Sequence, residues 1–387
     1  MSTAAIDPLH ELPGLVPPPN DLLPDLKELI SPALFLRLDL IEANLRAMVE
    51  VARGPDRLRI HVKTHKMPDL VKLATKLGVV KSKAATIAEA EMVARAGGAD
   101  VLLAYPLVGP NLTRWANLIE AFPSTTFRAV VDNLDALRNL SEHLPTNRRR
   151  HPVLIDLEVG MGRTGIPAGP AADELYAAIA ETPNLDPDGI HAYDGQIHEH
   201  DLDARRRATA KTWDQVLAMR DRMAHRGLPV PRLVLGGTPT FTLHAELNVE
   251  GVECSPGTCV LHDWGYFSRF PDLPFRPAAV LLTRVVSRPA PGRVCLDLGH
   301  KAIAADPPAG DRLKLPHVPD ARFVGQNEEH LIVETEMADE LPPGTALFAV
   351  PSHICPTCAL HQRVFVLAPD RSLRPWGVAA RDRVLNY

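Results

Sequence analysis

Arg57-Leu58-Arg59-Ile60-His61-Val62-Lys63-Thr64-His65-Lys66 reads as a strand with two unlike faces. Leu58, Ile60 and Val62 point one way, while Arg59, His61, Lys63 and His65 point the other. An apolar side toward packed helices and a polar side turned inward is what a barrel strand needs when its end carries chemistry. Lys63 is the residue this pattern leaves to be explained, because Lys66 falls beyond the strand and on its other face.

Working outward, short aliphatic or β-branched runs alternate from residue 34 with amphipathic stretches of helical length, the grammar of parallel βα units. The candidate strands are Leu34–Leu38, Leu58–Lys63, Val79–Ser82, Val101–Tyr105, Thr126–Val131, Val153–Glu158, Gly189–Tyr193, Arg232–Leu235 and Val252–Cys254. Helical spacing marks Leu40–Ala52, Pro68–Leu77, Ile87–Ala96 and Ala204–His225 between them. A closed barrel takes eight strands, so one of the nine is surplus. After about Tyr266 come short strands with Pro/Gly punctuation: Ala279–Val286, Val294–Leu298, Glu329–Glu334, Ala346–Val350 and Arg363–Leu367. The expected fold is α/β: an N-terminal extension over 1–30, a (β/α)8 TIM-like barrel over 31–268, and a smaller, mainly β C-terminal domain over 269–387. Prolines at Pro271, Pro274 and Pro277 mark the boundary, and the first thirty residues can pack on either part.

The 387 residues, 45% hydrophobic and 23% charged, suffice for a barrel of about 250 residues plus a second domain. A formal charge of -5 without a long basic run argues against nucleic acid as the main partner. No run of about 18 apolar residues occurs and the start is proline-rich and acidic, so a cytoplasmic, non-membrane protein is expected. Five cysteines in so long a chain make no disulfide framework.

The unusual residues gather at the C-terminal ends of the expected barrel strands, the face where barrel enzymes build their sites. Besides Lys63 they include Asp156-Leu157-Glu158-Val159-Gly160-Met161-Gly162-Arg163-Thr164-Gly165, whose glycines let an arginine ride on a tight loop. His191-Ala192-Tyr193-Asp194-Gly195 ends a further strand. Gly236-Gly237-Thr238, expected at a helix start, and Ser255-Pro256-Gly257-Thr258 on the next strand can cradle a phosphate from two sides. A lysine facing a barrel interior beside a phosphate site points to a Schiff base with pyridoxal phosphate. The alternative use of Lys63 is a salt bridge at the barrel mouth.

His353-Ile354-Cys355-Pro356-Thr357-Cys358-Ala359-Leu360-His361 is the second constellation. His353 and Cys355, two residues apart in an extended segment, share a side and can hold one metal, for which imidazole and thiolate suit zinc. The spacing also allows a closed four-ligand knuckle with Cys358 and His361, or a redox pair Cys355/Cys358 without the helix start such pairs use.

With these residues in hand, the chain resembles the fold-type III pyridoxal-phosphate enzymes, and within them the D-threonine aldolase and D-serine dehydratase group related to the alanine racemase barrel. The resemblance runs from about residue 30 to the end. It is carried by His61-Val62-Lys63-Thr64-His65-Lys66, Ala88-Glu89-Ala90-Glu91, Gly160-Met161-Gly162-Arg163-Thr164-Gly165, Gly236-Gly237-Thr238 and His353-Ile354-Cys355. It implies that Lys63 holds the cofactor as a Schiff base, that Arg163 meets the phenolic-oxygen side and that Tyr193 lines the ring. Gly237, Thr238, Ser255 and Gly257 would surround the phosphate, and His353 and Cys355 would bind the divalent metal, zinc or manganese, that takes the substrate's β-hydroxyl. A homodimer is implied as well.

The segment around Tyr193 is closer to the aldolase form, which favours cleavage of D-3-hydroxy amino acids to glycine and an aldehyde. Cys355 is the ligand type associated with zinc dehydratases, so a D-serine or D-3-hydroxyaspartate dehydratase is the alternative, with ammonia and a 2-oxo acid as products. A racemase has no duty for a metal, and a non-catalytic pyridoxal-phosphate carrier none for a complete β domain. His198, five residues after Tyr193, is the candidate base for the hydroxyl proton, or else a solvated loop histidine beside Glu199 and His200. Asp297, His300 and Lys301, with Glu328, Glu329 and His330, form polar clusters expected at surface turns or dimer contacts.

Overall fold

The computed structural model describes residues 8–23, 25–146 and 150–387, so the first seven residues of the expected extension lie outside the described residues. Contacts divide the chain into two compact units: one runs up to Ala47 and adds Thr64–Met67 and Thr258–Arg381, and the other comprises Met48–Lys63, Pro68–Gly257 and Asp382–Tyr387. Among the described residues no helix is long and apolar enough to cross a membrane.

Strand β1 (Ala33–Arg37) corrects the sequence reading. It was one of nine barrel candidates, and it is the surplus one. It pairs antiparallel with β11 (Ala279–Ala290) and parallel with β17 (Arg363–Leu367) in the sheet of the first unit. Ala33, Leu34, Phe35 and Leu36 are all buried, so the run suits any strand covered on both faces, and its pattern does not say in which sheet.

Eight parallel strands form the barrel of the other unit: β2 (Arg59–His61), β3 (Lys81–Ala84), β4 (Asp100–Leu103), β5 (Thr126–Val131), β6 (His151–Glu158), β8 (Leu185–Ala192), β9 (Leu233–Leu235) and β10 (Val252–Cys254). A two-residue strand, β7 (Ile166–Pro167), pairs at the end of β6. A parallel bridge between Leu58 and Cys254, and the Pro256 carbonyl accepting from the His61 amide at 2.9 Å, join the last strand to the first. Leu102, Val130, Leu154 and Val234 form an apolar cluster. Nearer the N-terminal strand ends the interior is ionic: Arg59 bonds Asp100 at 2.6 Å and Glu253 at 2.7 Å, Lys81 bonds Glu253 at 2.7 Å, and Arg128 joins Asp100 to Asp188. A buried arginine held by two carboxylates is tolerable because each charge is paired. A cavity of about 570 Å³ opens at these same strand ends, lined in part by Arg128, His151 and Asp188, away from the face where barrel sites form.

In the first unit, the order β14-β15-β12-β11-β1-β17-β18 adds β12 (Arg293–Leu296), β14 (Arg322–Gln326), β15 (Leu331–Glu334) and β18 (Leu373–Gly377). β16 (Ala346–Pro351) pairs with β11, and β13 (Leu313–Lys314) with β16. β13, β14 and β18 were not expected; each is short or largely exposed and lacks a clean apolar alternation. Leu12, Val16 and Leu23 share a core with Phe35, Val280 and Phe348, which assigns the described part of the N-terminal extension to this unit. Lys301 pairs on the surface with Glu328 at 2.6 Å and Glu329 at 3.2 Å beside exposed His330, whereas Asp297 accepts from Thr283 and the Arg284 amide.

His262 makes the stability of this unit depend on acid. Its ring lies among Tyr266, Phe267 and Phe275, and among the described residues neither ring nitrogen has a hydrogen-bond partner. Burial, reinforced by Arg276, holds the imidazole down to about 3. An unfolded histidine titrates near 6.5, so on acidification the unfolded chain takes the proton first. Stability that is full above pH 6.5 is therefore lost as pH falls toward about 3. A melting-temperature series in pH is expected to show a shallower acid limb for His262→Phe; an identical limb would remove His262 from this role.

Candidate active site

The residues expected at the barrel mouth are brought together around one ring, that of Tyr193. Lys63 Nζ lies 5.6 Å from its centroid, Arg163 Cζ 5.0 Å, and Lys83 Nζ, which the sequence reading missed, 5.7 Å. Lys63 does not end the strand as expected. β2 stops at His61, and Val62–Thr64 form a 3-10 turn that lifts the lysine off the ladder.

Each glycine loop has a local reason. Glu158 accepts from the amides of Gly160 and Gly162, both at 2.8 Å, and so ties down the loop that carries Arg163. Gly165 closes it at φ 103°, where a Cβ would lie 2.8 Å from the Glu158 nitrogen. Gly236, at φ 74°, is packed so closely that a Cβ would meet the His244 ring at 2.3 Å. The loop from Gly236 does not open directly into a helix as expected; the helix is Phe241–Glu246. The Gly237 amide donates to Thr240 Oγ1 at 3.3 Å, and Thr240 donates to Asp194 at 2.9 Å. Asp194 also bonds His244 Nε2 at 2.7 Å, while Trp213 Nε1 meets His244 Nδ1 at 2.9 Å. An indole N–H only donates, so Nδ1 accepts and Nε2 carries the proton given to Asp194. Gly236–Thr238 and Ser255–Gly257 follow the seventh and eighth barrel strands, the position of phosphate sites in such barrels.

Asp156 and His191 form a further pair, with 2.7 Å from Oδ1 to Nδ1, and Thr164 donates to the other carboxylate oxygen at 2.8 Å. Burial pulls the imidazole below its ordinary range although Asp156 opposes this, so the neutral ring donates through Nδ1. Its buried Nε2 is then an acceptor without a partner among the described residues. His61 is likewise pushed well down by burial, then by Lys63 and Lys83. His198 is not brought into this cluster: it is exposed on the loop after Tyr193, and among the described residues no hydrogen bond or ion pair reaches it.

The second constellation, in the other unit, differs from the extended segment expected. His353 keeps extended backbone at the N-cap, and Cys355 lies in the first turn of a helix, Ile354–Leu360. His353 Nδ1 bonds Asp306 at 2.5 Å, and Cys355 Sγ lies 3.3 Å from Thr64 Oγ1 and 3.5 Å from Thr258 Oγ1. Buried Asp263 accepts from the Ile354 amide at 3.0 Å, which fixes the backbone between the two side chains. Burial acts to raise the Cys355 thiol, but the hydrogen bond to His353 outweighs it and lowers the thiol below its usual range. The same contact lifts His353 to about 9 against its own burial. Cys358 is wholly buried and the His361 ring bonds the Ala302 carbonyl at 2.8 Å; among the described residues no three His, Cys, Asp or Glu side chains gather around one point. The closed knuckle is therefore not assembled, whereas the helix start missing from the redox reading is present.

Residues 36–261 match the family model described as alanine racemase, N-terminal domain. The chain belongs to that family. Residues 278–367 match a second model, described as putative serine dehydratase domain. Over 95% of its length the chain is 29% identical to a D-threonine aldolase of Arthrobacter sp, of which 96% is covered. It is 28% identical to a 3-hydroxy-D-aspartate aldolase of Paracoccus denitrificans (strain Pd 1222), over 93% of this chain and 94% of the relative. A crystal structure of D-threonine aldolase from Filomicrobium marinum superposes with a TM-score of 0.85 at 29% identity, covering 93% of this chain and 97% of that one.

The alanine racemase-like barrel fits pyridoxal phosphate on its own chemistry. It offers an amine for the aldehyde, an aromatic face for the ring, two further cationic groups around that face for a dianionic ester, and in His191 Nε2 a buried acceptor unpaired among the described residues. His353 and Cys355 fit a divalent cation as an imidazole and a thiol already biased toward thiolate.

Proposed function

We propose that this chain is a pyridoxal-phosphate- and metal-dependent lyase that cleaves D-3-hydroxy amino acids to glycine and an aldehyde, as a D-threonine aldolase does. The observation that carries this reading is the whole-length likeness to two aldolases of such substrates. In this reading Lys63 is the covalent anchor, and Arg163 and Tyr193 hold the ring. Gly237, Thr238, Ser255 and Gly257 surround the phosphate. Asp156 fixes the tautomer of His191, so that Nε2 remains an acceptor toward the bound molecule.

Pyridoxal phosphate, when bound, supplies the electron sink for carbon–carbon cleavage. The divalent cation supplies Lewis acidity, and His353 and Cys355 hold it. A thiolate donor favours zinc over manganese. The chain's own groups manage the protons. A base takes the β-hydroxyl proton, the Cα–Cβ bond breaks as the aldehyde carbonyl forms, and a proton returns to Cα. His198 serves as that base in this proposal; it lies on the exposed loop after Tyr193. The homodimer belongs to the same proposal.

Elimination is the second reading, favoured by the match of residues 278–367 to a dehydratase domain model. D-threonine separates the two. Glycine with acetaldehyde, formed in a chelated sample only after zinc or manganese is restored, is the expected result; ammonia with a 2-oxo acid would replace the aldolase by the dehydratase.

A further inference from the structure

Strand β3, Lys81-Ser82-Lys83-Ala84, sends two lysines into the barrel. They meet opposite fates. Lys81 pairs with Glu253 at 2.7 Å in the ionic layer. Lys83, 2% exposed, makes no ion pair among the described residues; its Nζ bonds Ser255 Oγ at 2.5 Å. The Ser255 hydroxyl in turn lies 3.2 Å from the Leu235 carbonyl and 3.1 Å from that of Gly236. With those carbonyls able only to accept, the hydroxyl donates to them and receives from Lys83. The lysine is thereby pinned where the loops after the seventh and eighth strands begin.

A dehydrated lysine held in no ion pair is unfavourable, and a fold keeps one when a ligand completes it. Lys83 shares the Tyr193 ring with Lys63 and Arg163, and no acid pairs with it there. Burial and then Lys63 press its ammonium down to about 7, against the pull of Asp194 and Asp156. Near neutral pH a bound anion decides whether it is charged.

We propose that Lys83 is a second cofactor-site lysine, one that meets pyridoxal phosphate without a covalent bond, beside Ser255, and tunes its electronic state. This rests on the function proposed above, with Lys63 as the anchor. The register explains the division of labour: Lys83 lies opposite His61, within the ladder, whereas Lys63 rides on the turn beyond it. The amine on the turn is placed for a bond that must be made and broken, and the amine on the strand for a fixed contact.

The test uses the full-length protein and its Lys83→Met and Lys83→Gln variants, each stripped of cofactor and titrated with pyridoxal phosphate across neutral pH. Both variants are expected to bind about tenfold or more weakly, and the pH midpoint of the bound cofactor's visible absorbance to move by about one unit. The stripped variants are expected to melt no lower than the parent, because a buried lysine held in no ion pair has been removed. Borohydride reduction of the parent is expected to mark Lys63 alone. Unchanged affinity and absorbance in both variants would make Lys83 structural and overturn the inference, as would a reduced adduct on Lys83. If the parent itself takes up no cofactor, the proposed function fails and this inference with it, a result distinct from a parent that binds and variants that behave like it.

Discussion

Lys63→Ala is expected to lower turnover of D-threonine by more than about 1,000-fold and to abolish the borohydride-reducible adduct. The lysine is held off the strand by a 3-10 turn, and its Nζ lies over a ring that Arg163 shares. Lys83 is a poor substitute, because its amine is already engaged by Ser255 within the ladder. The variant should still bind pyridoxal phosphate reversibly, since the proposed phosphate loops and the cations other than Lys63 are intact. Added small amines should then recover part of the rate by replacing the missing side chain. A variant that still yields the reduced adduct, or turns over at the parental rate, would end the role of Lys63 as anchor.

The second large effect concerns the metal. Chelation of the cofactor-loaded protein is expected to cost about 100-fold or more in rate, and zinc to restore it in the parent but not in Cys355→Ala. The cause lies in the acid–base coupling of the two proposed ligands. His353 holds Cys355 toward thiolate, so an entering cation need displace only the imidazole proton. Cys355→Asp exchanges a soft donor for a hard one and should move the preference from zinc toward manganese. Full activity after exhaustive chelation, with metal content checked by elemental analysis, would remove the cation from the reaction.

What the sequence disclosed and what it concealed divide along physical lines. The barrel was legible because short apolar runs alternate with stretches whose apolar residues repeat every three or four positions, and Lys63, Arg163 and Tyr193 stood out as uncommon residues at strand ends. Lys83 was hidden by register. The expected strand Val79–Ser82 stops one residue short of it, and the observed strand runs from Lys81 to Ala84. Asp156 and His191 were quoted at strand ends but not paired, because β6 and β8 become neighbours only once the barrel exists. The helix at Cys355 was masked by Pro356, which reads as a breaker yet is tolerated in a first turn, where its missing N–H has no intrahelical partner. His198 rests on proximity in sequence to Tyr193, and the structure sets it on the exposed loop after that residue, outside the cluster around the ring.

The displacement of β1 into the sheet of the first unit bears on how the chain is assembled during synthesis. All eight barrel strands have been made once Cys254 leaves the ribosome, so that unit can begin to close while translation continues. β1 is made before them and waits longer, since the strands that pair with Phe35, at Val280 and Phe365, follow the barrel in the chain. Until then an apolar strand with two bare edges is exposed to other nascent chains. Slow translation after the barrel would lengthen that exposure, and expression at low temperature or with chaperones that shield the N-terminal segment should raise the soluble yield more than any change within the barrel.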